Sequence, residues 1–319
     1  MEYRNLGRAG VKVSPICLGA AFRGQEDEAV CIRTVERALD LGCNFIDTAN
    51  AYHNGRSEQI LGKALKGKRD DVFLTSKVSS PIGPGPNDQG HSRYHMMREV
   101  ERSLKRLQTD HLDLYLLHQF DATIPIDETL RTLDDLVRQG KVRYIGCSNF
   151  NAWQLVEALW ASDTRNLESF ACIQSQYNLL NRWEVEPDLM PVCSKYSLGM
   201  MTYSALAIGL LTGRFRRGLP PPPDTPWGQG GYAFERAMTE QTDRIVRELI
   251  KVGRNRDKTP AQVAIAWVLD HPEITAAMIG PDTPEHVDEN FGALGWTLTP
   301  EERAALDRVS AVEGPWRYA

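Results

Sequence analysis

The stretch CNFIDTANAYHNGRSEQILGKALKGKRDDVFLTSKV, residues 43–78, contains a complete strand–helix–strand unit. Its two ends, residues 43–47 and 72–78, are short runs rich in apolar, aromatic and β-branched residues, which is typical of buried strands. Between them, residues 57–66 carry apolar side chains at helical spacing and stop before Gly67. Two strands joined by such a helix predict parallel pairing through a right-handed crossover.

The same alternation continues in both directions along the chain, and it yields eight strand candidates. Eight such units predict a closed (β/α)8 TIM barrel, which we expect to form a single domain over residues 1–319. The strand candidates are residues 16–20, 43–47, 72–78, 112–118, 142–148, 171–176, 199–204 and 276–280. The helix candidates are residues 28–41, 57–66, 92–107, 127–139, 152–161, 185–196, a pair within 239–269, and 284–294.

An open, doubly wound parallel sheet is the alternative fold. Such a sheet normally carries a glycine-rich turn, G-x-G-x-x-G, after its first strand. The first strand candidate here runs into LGAAFRGQ, residues 18–25, which does not match that pattern. The closed barrel is therefore the favoured fold.

Two long segments interrupt the barrel pattern, residues 79–93 after the third strand candidate and residues 215–236 after the seventh. Both follow the carboxyl ends of their strands, where barrel enzymes hold their active sites. Long loops in compact domains are commonly lids or binding loops. We predict that these two segments are lids and not inert insertions.

The composition of the chain argues against nucleic acid and membranes as binding partners. The chain has 319 residues, 42% of them hydrophobic and 25% charged, as in an ordinary globular protein. Its net charge of -5 offers no basic footprint for nucleic acid, and no stretch approaches the ~20 apolar residues of a membrane span. The six cysteines form no C-x-x-C pair and lie mostly in apolar runs, so we expect reduced core thiols. These features predict a cytoplasmic protein that binds small molecules, with no nucleic-acid or membrane partner.

Polar residues stand at three consecutive strand ends. Asp47 and His118 end the second and fourth strand candidates, and Lys77 lies near the end of the third. Tyr52 follows Asp47 on the same loop. Neighbouring strand ends of a barrel lie ~5 Å apart, so these side chains are expected to form one cluster.

Each of these residues also has a purely structural explanation. Asp47 would cap a loop, Tyr52 would be an edge aromatic, Lys77 would extend out of its strand, and His118 would be a hydrogen-bonded core histidine. When the four residues are considered together, the structural explanation fails for the lysine. A lysine among apolar strand residues is costly to bury unless a carboxylate pairs with it, and Asp47 is the carboxylate on the neighbouring strand.

Such a cluster suits proton transfer by a phenol. Phenols ordinarily ionise near pH ~10, and a neighbouring ammonium stabilises the phenolate. We therefore assign Tyr52 as general acid or base, Lys77 as its electrostatic partner and Asp47 as the partner of the lysine. His118 is predicted to orient a substrate oxygen. Protonation of a carbonyl oxygen must be matched by a hydride, so a nicotinamide is the expected cofactor, and no metal is expected.

The segments FIDTANAY, LTSKV and DLYLLH resemble the catalytic segments of the aldo-keto reductases, and the resemblance covers nearly the whole chain. It implies a (β/α)8 barrel with Asp47, Tyr52, Lys77 and His118 as the catalytic tetrad. It further implies reduction of an aldehyde or ketone, such as a sugar ketone or an aryl aldehyde, to the alcohol with NAD(P)H. The protein would be a monomer or a homo-oligomer.

Four further segments, GCSNF, IQSQYNLLNR, TYSALAIGLLTGRF and IGPDTPEHVDEN, resemble the family's cofactor-binding segments. They imply contacts to the nicotinamide, the pyrophosphate and the adenosine in turn. The implied cofactor-binding residues are Gly19, Ala20, Asp47, Ser148, Asn149, Gln174, Tyr203, Ser204, Ala205, Leu206, Gly209, Leu211, Arg214, Gly280, Asp282, His286, Glu289 and Asn290. The expected substrate pocket contains Phe22, Arg23, Gln119 and Trp227.

Residues 280–286 contain no lysine or arginine, whereas many family members hold the 2′-phosphate of NADPH with a basic residue there. Asp282 would instead suit the ribose 2′-hydroxyl of NADH. The resemblance still favours NADP(H), with NAD(H) as the alternative. Because the loops are also similar to those of potassium-channel β subunits, a regulatory or scaffold subunit with little turnover is the alternative function. The complete tetrad, His118 included, favours an enzyme.

Overall fold

Eight parallel strands close into a barrel in the computed structural model, which describes residues 1–311 of the chain. This confirms the predicted (β/α)8 TIM barrel. The predicted domain also includes residues 312–319, which lie outside the described residues. In the order in which they pair around the barrel, the strands are β3 (Ile16–Gly19), β4 (Phe45–Asp47), β5 (Phe73–Val78), β6 (Leu112–Leu117), β7 (Val142–Ser148), β8 (Cys172–Gln176), β9 (Gly199–Tyr203) and β10 (Ile274–Ile279).

Helices follow the strands and surround the barrel. Several begin at a polar residue that caps the first turn; the Asp27 carboxylate, for example, accepts hydrogen bonds from two N–H groups of α1. No helix within residues 1–311 is long and apolar enough to cross a membrane. The helices are α1 (Glu28–Asp40), α2 (Arg56–Ala64), α3 (Arg93–Leu107), α4 (Ile126–Arg138), α5 (Ala152–Arg165), α6 (Met190–Tyr196), α7 (Phe234–Ala237), α8 (Glu240–Arg256), α9 (Pro260–Leu269), α10 (Pro284–Phe291) and α11 (Pro300–Val309).

An N-terminal hairpin, which the sequence analysis missed, closes the floor of the barrel. Its strands β1 (Arg4–Asn5) and β2 (Lys12–Val13) pair antiparallel. Leu6 and Val13 are fully buried in the cluster that fills the barrel interior. The turn approaches β9 so closely that a Cβ on Gly7 would lie 2.2 Å from the Gly199 nitrogen, so a glycine is required there. The mouth at the carboxyl ends of the strands is therefore the face left for a site.

The core has two layers, because successive side chains of a strand point to opposite faces. The inner layer fills the barrel and includes Phe45, Phe73, Leu114 and Met201. The outer layer lies between the strands and the helices and is the larger of the two. The inner layer gives way to polar side chains at the mouth, where Asp47 and Lys77 are also fully buried.

Candidate active site

Four predicted residues lie together at the mouth of the barrel. Asp47 is the last residue of β4, Lys77 is the second-last of β5, and His118 directly follows β6. Because these strands are neighbours in the sheet, their ends bring the three side chains to one edge. Tyr52 reaches the same place from the β4–α2 loop, and its ring lies 5.7 Å from that of His118 in an edge-on contact.

The Lys77 ammonium is fully buried and donates to three oxygens. The acceptors are a carboxylate oxygen of Asp47, the main-chain oxygen of Thr48 at 2.9 Å and the Tyr52 hydroxyl at 3.4 Å. Burial alone would lower the pKa of Lys77, but the charges of Asp47 and Tyr52 outweigh it and raise that pKa above its ordinary value. The lysine therefore remains an ammonium at neutral pH, with all three N–H groups in use.

Asp47 completes a buried ion pair. Burial raises the pKa of this carboxyl, and the charge of Lys77 together with hydrogen bonds from Lys77 and Gln174 opposes that shift. The Gln174 amide donates to the second carboxylate oxygen at 2.9 Å. Both oxygens of Asp47 thus have donors, which is the condition under which a buried carboxylate is tolerated.

His118 is a neutral imidazole at physiological pH. Burial and the nearby positive charges of Lys77 and Arg23 lower the pKa of His118 to about 3. Its main-chain N–H donates to Val78 O at 2.8 Å and to the Ser79 hydroxyl at 3.1 Å, which fixes the residue at the strand end. Its Nδ1 has no hydrogen-bond partner within residues 1–311. The ring is therefore uncharged at physiological pH, and it is capable of hydrogen bonding as a neutral group.

The predicted nicotinamide-binding residues connect directly to this cluster. Asn149 adopts a left-handed backbone, φ 58°, and its amide donates to the main-chain oxygen of His118 at 3.0 Å and to Ser148 Oγ at 3.2 Å. The Tyr203 hydroxyl donates to Asn149 Oδ1 at 2.8 Å. Together with Gln174, which is bonded to Asp47, these residues form one polar rim across the ends of β7, β8 and β9.

The segment that follows β9 is built to present main-chain N–H groups. Ser204, Ala207, Ile208 and Gly209 all have left-handed backbones, with φ between 49° and 86°. Within residues 1–311, the N–H groups of residues 205, 206 and 208 have no hydrogen-bond partner. Turns with unpaired N–H groups suit anions, so the segment fits a pyrophosphate. Of the other predicted contacts here, Leu211 is buried, and Arg214 is exposed and bound to Asp224 at 2.8 Å.

The predicted adenosine-binding residues lie in the β10–α10 loop and along helix α10. The Asp282 carboxylate accepts a hydrogen bond from the Gly24 N–H at 3.2 Å. A Cβ on Gly24 would lie 2.5 Å from that carboxylate, so a larger residue here would make the Asp282 side chain shift. This contact ties the β3–α1 loop, which begins with Ala20, to the β10–α10 loop. Of the remaining residues, Gly280, His286 and Glu289 are exposed, Asn290 is buried, and Gly19 packs closely on Met278.

The predicted substrate-pocket residues separate into two groups. The Arg23 guanidinium lies 5.8 Å from the centre of the Tyr52 ring, and Gln119 is exposed beside His118. Phe22 and Trp227 are 2% and 7% exposed, so they pack into the structure more than they line an open surface. The Trp227 indole donates to Ile208 O at 2.8 Å, which ties the second long loop to the segment after β9. The lid function of that loop stays a prediction.

Three residues at the site, Thr48, Asn50 and Glu99, were missed by the sequence analysis. The main-chain oxygen of Thr48 binds the ammonium of Lys77, and the side chain of Asn50 bonds to the buried carboxylate of Glu99 on α3. The sequence contained a local indication for Thr48 and Asn50, because both lie within FIDTANAY. For Glu99 the signal was a carboxylate on the apolar face of a helix, close to Met96 and Val100.

The first long loop is anchored beside the site by a buried histidine. The His91 ring nitrogen Nε2 lies 2.6 Å from the Ser79 hydroxyl, and the His91 main-chain N–H donates to Asp121 at 3.0 Å. His91 is 1% exposed. Burial lowers its pKa from 6.5 to about 4. The unfolded chain therefore binds a proton here at a higher pH than the folded protein does.

This difference predicts a loss of stability in mild acid. The neutral His91 contributes fully above pH ~6.5, and the contribution falls as pH drops toward the pKa of the folded state, by about 2 kcal/mol at pH ~5. Between pH ~7 and ~5, the free energy of unfolding of the wild type should fall by about 2 kcal/mol more than that of His91→Gln. Urea unfolding at both pH values measures this change. An equal decrease in the free energy of unfolding for the two proteins would contradict the prediction.

Comparison with known proteins agrees with this geometry. The sequence model described as Aldo/keto reductase family matches residues 15–311. The uncharacterized oxidoreductase YrpG of Bacillus subtilis is 38% identical, over 97% of this chain and 96% of that protein. A probable voltage-gated potassium channel subunit beta of Oryza sativa is 35% identical, over 98% and 96%. The aldo-keto reductase YhdN of Bacillus subtilis is 34% identical, over 97% and 93%. These matches, which extend over nearly the full length of each protein, show that the chain belongs to the aldo/keto reductase family.

Proposed function

We propose that this protein is an NAD(P)H-dependent oxidoreductase that reduces an aldehyde or a ketone to the alcohol, with Tyr52 as the general acid. The observation that carries the proposal is the 3.4 Å contact between the Tyr52 hydroxyl and the buried Lys77 ammonium. A phenol is a poor proton donor and acceptor near neutral pH unless a positive charge stabilises its anion. The contact supplies that charge at the mouth of the barrel.

Each residue of the tetrad has a distinct part in the proposal. A bound reduced nicotinamide supplies the hydride. Tyr52 donates its proton to the substrate oxygen, and the Lys77 ammonium stabilises the phenolate that remains. Asp47 keeps the lysine charged. The neutral His118 donates a hydrogen bond from Nε2 that orients the substrate oxygen.

The cofactor is proposed to lie across the mouth from β7 to β10. Ser148, Asn149 and Gln174 would bind the nicotinamide amide, and Tyr203 would stack on its ring. The unpaired N–H groups of residues 205, 206 and 208 would receive the pyrophosphate. The β10–α10 loop would receive the adenosine. The donor set suits a dinucleotide because these N–H groups follow the polar rim at the ends of β7, β8 and β9 and precede the β10–α10 loop.

NADP(H) is the favoured cofactor in this proposal, and Asp282 is the residue that tests it. We expect NADPH to bind more tightly than NADH. Asp282→Asn should tighten NADPH binding by about fivefold and leave NADH binding nearly unchanged, because it removes a negative charge near the proposed 2′-phosphate. Fluorescence titration measures all four dissociation constants.

The matched control is Asp288→Asn, because Asp288 lies on α10, the helix that follows the loop of Asp282. Asp288 pairs with Arg37 on the exposed side of α10, so the same change of charge there should leave both dissociation constants unchanged. If the wild type binds NADH about tenfold more tightly than NADPH, the preference for NADP(H) is wrong.

Turnover distinguishes the enzyme from the alternative function. Two relatives whose names describe them as voltage-gated potassium channel β subunits are 33% and 35% identical to this chain, which supports a cofactor-binding regulatory or scaffold subunit as the second candidate. The assay follows NADPH absorbance with aryl aldehydes, sugar ketones and aliphatic ketones. Sustained turnover of any of these supports the enzyme. Tight NADPH binding with no turnover of any of them supports the regulatory subunit.

The proposed setting is the cytoplasm, with the protein as a monomer or a homo-oligomer. Six cysteines are buried and free. Burial raises the pKa of Cys147 well above its ordinary value, so this thiol resists ionisation. Unpaired thiols of this kind suit a reducing compartment.

A further inference from the structure

A buried polar contact joins the loop of Tyr52 to helix α3. The Asn50 side chain is 1% exposed and donates from Nδ2 to Glu99 Oε2 at 3.2 Å. Glu99 is fully buried, and its other oxygen accepts from the Arg102 guanidinium at 2.8 Å. The Glu99 carboxylate is therefore neutralised by Arg102 on its solvent side, and it accepts a hydrogen bond from the uncharged Asn50 amide on the side of the site.

The Tyr52 loop is held tightly before the tyrosine and strained after it. The N–H groups of Thr48 and Asn50 donate to main-chain oxygens of β5, at 2.9 and 3.3 Å. Two consecutive left-handed residues, His53 and Asn54, follow Tyr52 with φ of 47° and 55°. Non-glycine residues adopt this conformation uncommonly, and asparagine and histidine do so more often than most, so the turn depends in part on its surroundings.

The bond to Glu99 is the side-chain anchor of this loop. Without it, the one hydrogen bond that Asn50 would keep to another of residues 1–311 is that from its main-chain N–H to Lys77 O at 3.3 Å, and the turn after Tyr52 would be free to relax. The Tyr52 hydroxyl contacts Lys77 at 3.4 Å, which is already near the limit of a hydrogen bond. A shift of about 1 Å at the reacting atoms is enough to lower a rate severely.

We propose that Asn50, through its bond to Glu99, is a positioning residue that holds the Tyr52 hydroxyl at Lys77. Asn50 itself contacts no reacting group, so its effect passes through the loop. The inference rests on the proposed function, because it assigns Asn50 to the same proton donor. It adds to the tetrad a pair of residues separated by 49 positions in sequence.

The test compares Asn50→Ala with Glu99→Gln and Ser76→Ala. Asn50→Ala removes the donor, whereas Glu99→Gln keeps an acceptor oxygen at the same place. Ser76→Ala is the matched control, because the Ser76 hydroxyl donates at 2.6 Å to another fully buried carboxylate, that of Glu58 on α2, and makes no bond to Asn50 or Glu99. Asn50→Ser, which is too short to reach Glu99, is the second variant if Asn50→Ala does not fold.

We expect Asn50→Ala to lower kcat by about tenfold or more, with the Kd of NADPH unchanged within about twofold. Glu99→Gln and Ser76→Ala should keep kcat within about twofold of the wild type. Hydrogen exchange should accelerate for amides of residues 49–54 in Asn50→Ala and not in Ser76→Ala. This readout needs no substrate, so it tests the anchor independently of the reaction.

If Asn50→Ala has the kcat of the wild type and unchanged hydrogen exchange, the positioning role is wrong. The proposed function survives that result, because the wild type still turns over substrate. Equal losses of kcat in Asn50→Ala and Ser76→Ala also overturn the positioning role, because they indicate general destabilisation. If the wild type shows no turnover, the proposed function fails. Faster exchange confined to residues 49–54 would then still support the anchor.

Discussion

Replacing Tyr52 with phenylalanine is expected to lower the turnover number for carbonyl reduction by about 100-fold or more, while the Kd of NADPH changes by less than about twofold. The reason lies in what the substitution keeps. Phenylalanine retains the ring that meets His118 edge-on at 5.7 Å and loses only the hydroxyl that contacts Lys77. Proton donation is lost, whereas binding of the cofactor is not. Steady-state kinetics and fluorescence titration measure the two quantities.

Tyr144→Phe is the matched control for this result. The Tyr144 hydroxyl also lies in the barrel, but it donates to Ala9 O at 3.3 Å on the floor. Removing it should leave the turnover number within about twofold of the wild type. If Tyr52→Phe keeps more than about a tenth of the wild-type turnover, Tyr52 is not the proton donor.

Lys77→Met is expected to damage both the rate and the fold. The phenolate loses its positive neighbour, so the turnover number should fall by about 100-fold, comparable to Tyr52→Phe. Asp47 is left as a buried carboxylate with only the Gln174 donor, and loss of one partner of a buried ion pair costs about 3–5 kcal/mol. Urea unfolding measures the second effect separately from the first.

The double variant Lys77→Met with Asp47→Asn separates these effects. An asparagine carries no charge to be left unpaired, so the double variant should recover part of the stability and none of the turnover. Lys63→Met is the control for loss of a lysine, because Lys63 and its partner Glu28 are both about half exposed and such pairs contribute little. Full activity in Lys77→Met would contradict the electrostatic role, and an unchanged free energy of unfolding would contradict the buried pair.

The barrel was predictable because its strands are marked by composition. Strands buried on both faces are short apolar runs, and the predicted strand ends agree with the observed ones to within two residues. The floor hairpin was missed because strands of two residues are too short to show alternation. Helix α11 was missed although its start carries a signal, since Thr299 and Glu302 form a capping box.

The site was predictable where the chemistry is local and not where it depends on packing. Asp47 and Tyr52 lie five positions apart, so their segment could be interpreted as a unit. The bond between Asn50 and Glu99 joins a loop to a distant helix, and a lone helical glutamate is ordinarily taken for a surface residue. The hydrogen bond from the Gly24 N–H to the Asp282 carboxylate joins two loops that are far apart in sequence, so no local pattern reveals it.

The floor hairpin also fixes where the start of the chain emerges. Arg4 donates to the main-chain oxygens of Leu269 and Ile274, at the amino end of β10, and the Tyr3 hydroxyl donates to Gly42 O. Met1 is exposed on that side of the molecule. A peptide attached at Met1 would therefore leave from the side opposite the mouth. A protein immobilised on a sensor or an electrode through this end would keep its mouth, the proposed site of substrate and cofactor, toward the solution.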